Sequence, residues 1–293
     1  MTAHLIPLSI RSDIESILYA PIVNAIPVQG GDISNSYKVE LEDGQAFFLK
    51  CHKKNVETTR PMFAQEAKGL NTLRSASAST STSLQIPEVI ALNNSYLLLE
   101  YIEEQEHGND FQFGVDLANL HKNSNELYGF SDNNFIGSID QSNRYHSDWL
   151  EFFFRERIEP LAKKLIDKDL LSSKYIKIFE RVFNYTYVIF PDEPPALLHG
   201  DLWSGNYMYT VTGQVALYDP AVYYGHREMD LSMTTLFGGF NPAFYDGYQT
   251  EYPLQPGWEE RQKLCQLYPL LVHALIFEGN YVKQSEVLLK RFF

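Results

Sequence analysis

The spacing of apolar residues along this chain changes character near residue 104. Before that point short alternating runs mix with single helical stripes. Over residues 9–19, Ile10, Ile14, Ile17 and Leu18 recur at helical spacing. A Gly30-Gly31 turn follows, and the second half of GGDISNSYKVEL reads as a strand. Residues 41–50, LEDGQAFFLK, turn at Asp43-Gly44 and continue as an apolar strand ending at Lys50, so the two strands predict a hairpin. Over residues 62–74, Phe63, Ala67, Leu70 and Leu73 share one face of a helix. SASASTSTS at 75–83 reads as a polar low-complexity loop. IPEVIAL and SYLLLEY predict two more strands, and the acidic stretch EYIEEQEHGND at 100–110 is loop-like and marks the boundary between two parts.

Beyond the boundary the pattern is mainly helical. Residues 113–124 carry Phe113, Leu117 and Leu120 on one stripe, 148–165 form a longer helix, and 258–293 hold two further helical patterns. Between them, residues 197–221 read as loop, turn and strand, and no internal repeat is present. The predicted class is α+β. A small sheet-containing part spans residues 1–103, and a larger helical part spans 104–293.

Composition narrows the setting. The 293 residues are 44% hydrophobic, enough to bury a sizeable core as one large domain or two modest ones. Net charge is −13, and Lys53–Lys54 and Lys163–Lys164 are isolated pairs, so no basic face for a nucleic-acid partner is visible. An acidic surface also repels nucleotides at long range, so any phosphate site must supply local positive charge. Cys51 and Cys265 lie far apart without metal-like spacing, and reduced cytosolic thiols are the expected state. The first residues lack a basic stretch followed by an apolar one, and no apolar run approaches the ~20 residues of a membrane span. A cytoplasmic protein with no membrane partner is expected. The 19 Tyr, 19 Phe and 3 Trp are explained by aromatic core packing, and polyol and sugar sites also use aromatic faces.

The chemistry concentrates in His199-Gly200-Asp201-Leu202-Trp203-Ser204-Gly205-Asn206, followed by Tyr218-Asp219-Pro220. Asp201 and Asn206 stand five apart, the spacing of the Asp and Asn in a kinase catalytic loop. Phosphoryl transfer to an alcohol needs a carboxylate to orient the hydroxyl, oxygen ligands for Mg²⁺, and a cation or amides for the phosphates. Asp219 follows an apolar strand, where a second metal-binding carboxylate belongs, and Mg²⁺ prefers such oxygen ligands. A capped turn would also use Asp and Asn, for local reasons. His226, Glu228 and Asp230 alternate in GHREMDL, but there is no H-E-x-x-H and no useful Cys pair for zinc.

HGDLWSGN with YDPA and GHREMDL resembles the fructosamine kinase (ketosamine-3-kinase) family, relatives of aminoglycoside phosphotransferases, choline kinases and protein kinases. The resemblance extends to GGDISNSY, FFLK, LLLEYIE, NNFIGSIDQSN, DWLEFFFRERI, FGGF and GWEERQKLCQLYPLLVHALIF, nearly the whole chain. It implies a two-lobed protein-kinase-like fold with ATP and Mg²⁺ as cofactors and ATP lying between the lobes. Asp201 would be the catalytic base, with Asn206 and Asp219 as the metal ligands. Lys50 would bind phosphate, held by Glu66. Gly30, Gly31, Ser34 and Asn35 would belong to the loop over the phosphates, where small residues let amides approach. The backbone of Glu100, Tyr101 and Ile102 would form the hinge against adenine. Many relatives read G-G-C-I-S in the phosphate loop, and Asp32 replaces that cysteine here, so thiol control through this loop is not expected.

Asp230 resembles the acidic residue that braces the catalytic loop from the following helix, His199 is expected to support the loop, and Glu228 is expected to be structural. Trp203, two residues past the base, lines the acceptor pocket or packs the loop. Asn133, Asn134, Gln141 and Asn143 order their own loop or bind a polyol, while Trp149, Phe152 and Phe153 read as helix core. The implied acceptor is the 3-hydroxyl of a ketosamine, a sugar joined to an amine or a protein lysine, with a deglycation role. The alternatives are a kinase of another small alcohol, such as an aminoglycoside or amino alcohol, and a non-catalytic ATP-binding protein.

Overall fold

A computed structural model describes residues 3–28, 34–52 and 60–292. In chain order the elements are α1 (Leu8–Leu18), β1 (Ile22–Pro27), β2 (Ser34–Leu41), β3 (Ala46–His52), α2 (Arg60–Ser79), β4 (Val89–Leu92), β5 (Tyr96–Glu100) and β6 (Glu104–Gln105). Then come α3 (Asp110–His121), β7 (Asn134–Ile136), β8 (Ile139–Gln141), α4 (Trp149–Phe152), α5 (Glu159–Asp167), α6 (Ile176–Ile189), β9 (Ala196–Leu198), β10 (Tyr207–Thr210), β11 (Val215–Leu217) and β12 (Tyr223–Gly225). Five helices close the chain: α7 (Glu228–Met233), α8 (Pro242–Glu251), α9 (Trp258–Cys265), α10 (Leu267–Phe277) and α11 (Gly279–Leu289).

These elements pack as two compact units. The first comprises residues 1–78, 83–108 and 207–219, and the second comprises 79–82, 109–206 and 220–293. The β10–β11 hairpin therefore packs with the sheet-containing unit, although it lies inside the helical stretch of sequence. It does so through β6, which pairs antiparallel with β10 (Tyr209 opposite Gln105), and through Gln85, whose backbone bonds Val215 and Leu217.

In the first unit, a five-stranded antiparallel sheet runs β1-β2-β3-β5-β4. The predicted β2–β3 hairpin is present. Its turn uses Gly44 at φ +87°, a left-handed value that costs a glycine nothing, and Asp43 Oδ1 accepts the Gln45 amide at 2.9 Å. One face of the sheet is buried with α1: Ile10, Ile14, Val39, Leu49 and Leu98 form one apolar cluster. α2 runs five residues past its predicted end. Ser75 Oγ bonds back to Asn71 O at 2.8 Å, and Ala76 and Ser77 are buried, with Ser77 Oγ donating to Leu84 O. Hydroxyls satisfied by backbone carbonyls and small side chains against the core keep this segment helical despite its polar composition.

The second unit is built round one large apolar cluster that includes Phe152, Leu165, Tyr175, Leu198, Leu271 and Ala274. α3 and α8 approach closely at two glycines. A Cβ on Gly114 would stand 1.9 Å from Phe244 O, and one on Gly247 would stand 2.0 Å from Phe111 O. The helical run expected over 148–165 spans Trp149–Asp167 and widens into a π-helical turn at Phe153–Ile158. There Glu156, Arg157 and Ile158 are buried in succession, which a single α-helical stripe does not permit. Where two helical patterns were expected over 258–293, the described residues form three α-helices, α9, α10 and α11. α10 has eight buried residues among eleven, so it lacks the amphipathic contrast that marks a helix in sequence. Trp149, Phe152 and Phe153 are buried, as expected of helix core.

Candidate active site

Lys50, Glu66 and Asp219 meet within the first unit. Lys50 lies on β3 between buried Leu49 and Cys51, and is itself 6% exposed. Its Nζ donates to Glu66 Oε1 at 2.7 Å and also to Asp219 Oδ1. Burial opposes the ammonium charge, but the two carboxylates override it and raise the Lys50 pKa. Burial also pushes Glu66 up to about 7, against the pull of Lys50. Two carboxylates sharing one cation carry an excess negative charge, and the charge is disfavoured on Glu66, the more enclosed of the two. Asp219 sits at φ +55°, left-handed for a non-glycine residue, and precedes a proline that disfavours the helical region. Such strain is held by surrounding structure and gathers at functional positions.

The other predicted members of this group are dispersed. Ser34 and Asn35 open β2, paired with His52 and Cys51. Glu100 ends β5, and its carboxylate accepts the Glu88 amide at 3.1 Å. Lys38 Nζ stands 4.7 Å over the Tyr101 ring. Tyr101 and Ile102 follow β5 and lie in neither helix nor strand. Gly30, Gly31 and Asp32 lie outside the described residues.

Asp201 and Asn206 meet within the second unit. Asn206 Nδ2 donates to both Asp201 O (2.9 Å) and Asp201 Oδ2 (3.0 Å). The amide is thereby oriented, and its Oδ1 is the end turned to other partners. The loop is anchored from α7: Asp230 accepts from the backbone amides of His199 (2.7 Å) and Gly200 (2.9 Å). His199 is fully buried, and its Nδ1 accepts the Asp201 amide at 3.3 Å. Gly200 has φ +83°, and a Cβ there would stand 2.0 Å from Ala221 O. The loop thus passes against Ala221, whose amide donates to His199 O at 2.8 Å. Asp230 and His199 have the supporting positions expected of them. Glu228 pairs with Arg261 (2.6 Å), and His226 lies 3.7 Å from Glu193, so the alternating GHREMDL side chains diverge to different partners. Among the described residues, no three His, Cys, Asp or Glu side chains gather as a metal cluster.

Trp203 is 37% exposed and packs over Gly205, where a Cβ would stand 2.3 Å from the indole. It also meets Phe237 edge-on at 6.1 Å. From Phe237 the aromatic surface continues to His273 (4.7 Å) and Tyr281 (6.4 Å). Sequence reasoning assigned no role to these three residues, which come from separate segments brought together only by folding. Cys51 and Cys265 are both buried and free, and burial pushes the Cys51 thiol up to about 11, so it stays protonated and unreactive.

The available groups are a buried lysine braced by carboxylates, one of them the half-buried, strained Asp219, together with an aspartate–asparagine pair and an aromatic surface beside that pair. This is the inventory of phosphoryl transfer to an alcohol. The side-chain oxygens of Asn206 in the second unit and of Asp219 in the first are each of the donor type that a hard cation such as Mg²⁺ prefers. Among the described residues, no helix is long and apolar enough to cross a membrane.

Comparison with known proteins agrees with the geometry. The model of the family described as fructosamine kinase matches residues 10–293. A "probable ketoamine kinase" of Enterococcus faecium is 37% identical, covering 96% of this chain and 100% of its own. A solved candidate fructosamine-3-kinase of Thermobifida fusca superposes with a TM-score of 0.87 at 29% identity, covering 97% and 98% of the two chains. An ADP-bound aminoglycoside phosphotransferase, at 16% identity and a TM-score of 0.64 over 97% of each chain, shares the kinase-like fold.

Proposed function

The chain belongs to the fructosamine kinase family, and on that premise we propose that it transfers the γ-phosphoryl group of ATP to the 3-hydroxyl of a ketosamine. Membership makes it a phosphotransferase acting on a hydroxyl group. The observation that carries the finer reading is the Asp201–Asn206 pair, held from below by Asp230 and flanked by an open aromatic surface. In this mechanism Asp201 orients the sugar hydroxyl and accepts its proton as the oxygen attacks the γ-phosphorus. Lys50, positioned by Glu66, holds phosphate oxygens. Asn206 and Asp219 are the ligands assigned to Mg²⁺, whose charge would offset that of the phosphate oxygens. The backbone of Glu100, Tyr101 and Ile102 takes adenine, with Gly30, Gly31, Ser34 and Asn35 over the phosphates. Phosphorylation at the 3-oxygen would make the adduct prone to breakdown, which gives a deglycation role.

The Trp203–Phe237–His273 surface receives the sugar on this reading, since aromatic faces pack well against the C–H side of a polyol. Trp203→Ala is therefore expected to raise the acceptor KM about tenfold. Its KM for Mg·ATP should stay near the native value, and steady-state kinetics in both substrates separate the two. An ATPase-coupled screen with fructosamine, ribulosamine and erythrulosamine tests the substrate class. Turnover of at least one is expected. Intact Mg·ATP binding with turnover only of aminoglycosides or amino alcohols would transfer the assignment to that class.

A further inference from the structure

Arg157 is fully buried, yet among the described residues no carboxylate pairs with it. Its guanidinium lies 4.6 Å over Phe152 and 4.1 Å over Tyr223, and its Nε has no hydrogen-bond partner among the described residues. Burying a cation this way is costly, so the site must return something the fold needs. The hydrogen bonds show what that is. Arg157 donates to Ser142 O (2.5 Å) and to Asn143 Oδ1 (2.6 Å). An amide whose oxygen faces a guanidinium must turn its NH₂ the other way, and Asn143 Nδ2 donates to Asp132 O (3.0 Å) and Asn134 Oδ1 (2.9 Å). Asn134 must then donate through its own nitrogen, which reaches Val222 O at 2.8 Å.

A second arm starts at Tyr268. Its hydroxyl donates to Gln141 Oε1 at 2.5 Å, which directs Gln141 Nε2 to Asn134 Oδ1 (2.8 Å) and Ala221 O (3.1 Å). Every amide in the chain therefore has one permitted orientation, imposed from its ends by a permanent cation and a phenol. Both arms finish on consecutive carbonyls, Ala221 and Val222. Ala221 is the residue whose amide donates to His199 O and whose carbonyl lies against Gly200.

We propose that Gln141 is a positioning residue for the loop that carries Asp201, held in register by a polarised hydrogen-bond chain running from Arg157 and Tyr268 to the carbonyls of Ala221 and Val222. The π-helical turn serves this arrangement by bringing Arg157 inward beside Glu156 and Ile158. Asp230 holds the loop by its amides, and the Gln141 arm sets the peptide it rests on. The two braces are independent: no hydrogen bond among the described residues joins Asp230 to Gln141.

This assignment rests on Asp201 as the catalytic base, and the test separates the two. Gln141→Glu keeps the shape and the acceptor for Tyr268, but sets a second acceptor against Ala221 O and Asn134 Oδ1. In the full chain its kcat with Mg·ATP and a ketosamine should fall roughly 30-fold, the scale of a sub-ångström misplacement. Both KM values should stay near native. Amide hydrogen exchange across residues 199–206 should accelerate about tenfold, with β2 and β3 unchanged. Tyr268→Phe, which leaves Gln141 Oε1 without its donor and loosens that arm, should shift both readouts in the same direction, and it carries the test if Gln141→Glu does not fold. Native kcat, a loss confined to KM, or native exchange across 199–206 in a folded variant overturns the proposal. Faster exchange in a chain that phosphorylates no ketosamine leaves the positioning role standing and defeats the substrate reading instead.

Discussion

Asp201→Asn is expected to lower the rate of phosphoryl transfer by about 10³-fold, or about 4 kcal/mol of barrier. The substitution is nearly isosteric and keeps an oxygen that accepts from Asn206 Nδ2, so the pair that shapes the loop survives. The loop also keeps its bonds from His199 and Gly200 to Asp230. What disappears is a group able to take the proton of the attacking hydroxyl. Mg·ATP affinity, measured by equilibrium titration, should remain within about threefold of native, because Asp201 is assigned no contact with the phosphates. Native kcat in this variant would remove Asp201 from the mechanism.

Lys50→Met is expected to reduce kcat/KM for Mg·ATP between about 10²- and 10³-fold, the cost of losing one partner of a buried hydrogen-bonded charge. Two effects combine. The phosphate loses its buried cation, and Glu66 and Asp219 lose the ammonium that both accept from. Glu66, already pushed up to about 7 by burial, loses the charge that draws it down and takes up a proton at neutral pH. Asp219 is left as the sole charged member of the group. Steady-state kinetics at saturating acceptor measure the effect. A Lys50→Met chain with native kcat/KM would show that the lysine is structural, as any single strand lysine read in isolation could be.

How much of this was legible in the sequence follows from the range of the interactions involved. Local features were readable. The Asp43-Gly44 turn, the helical stripe at Phe63–Leu73 and the five-residue spacing of Asp201 and Asn206 depend on neighbours along the chain, and each has the predicted form. Features that depend on tertiary partners were not. Residues 75–79 are polar in composition but helical because carbonyls and the core accept them. α6 was missed although Ile178, Phe179 and Val182 form a buried stripe, a signal that a closer reading of 176–189 would have found. The packing of β10–β11 with the first unit depends on β6, two residues inside an acidic stretch that reads as loop.

The polar cluster at Asn134, Gln141 and Asn143 shows the same limit. Its residues stood out in sequence with two readings, ordering a loop or binding a polyol. The structure has their amides engaged with Ala221, Val222 and one another, which is the ordering reading. Nothing in the local sequence could reveal that the ordering agent is Arg157, because the connection runs through a π-helical turn and a buried amide chain. The same holds for Phe237 and His273 beside Trp203, which share a surface only after folding.

The most direct test of the account is to incubate the chain with Mg·ATP and fructosamine and to follow the products by phosphorus NMR. The account predicts stoichiometric loss of the γ-phosphoryl signal and growth of a phosphomonoester resonance coupled to the proton on carbon 3 of the sugar, with neither change in Asp201→Asn. A phosphomonoester on a different sugar oxygen, or transfer that continues at the native rate in Asp201→Asn, would contradict it.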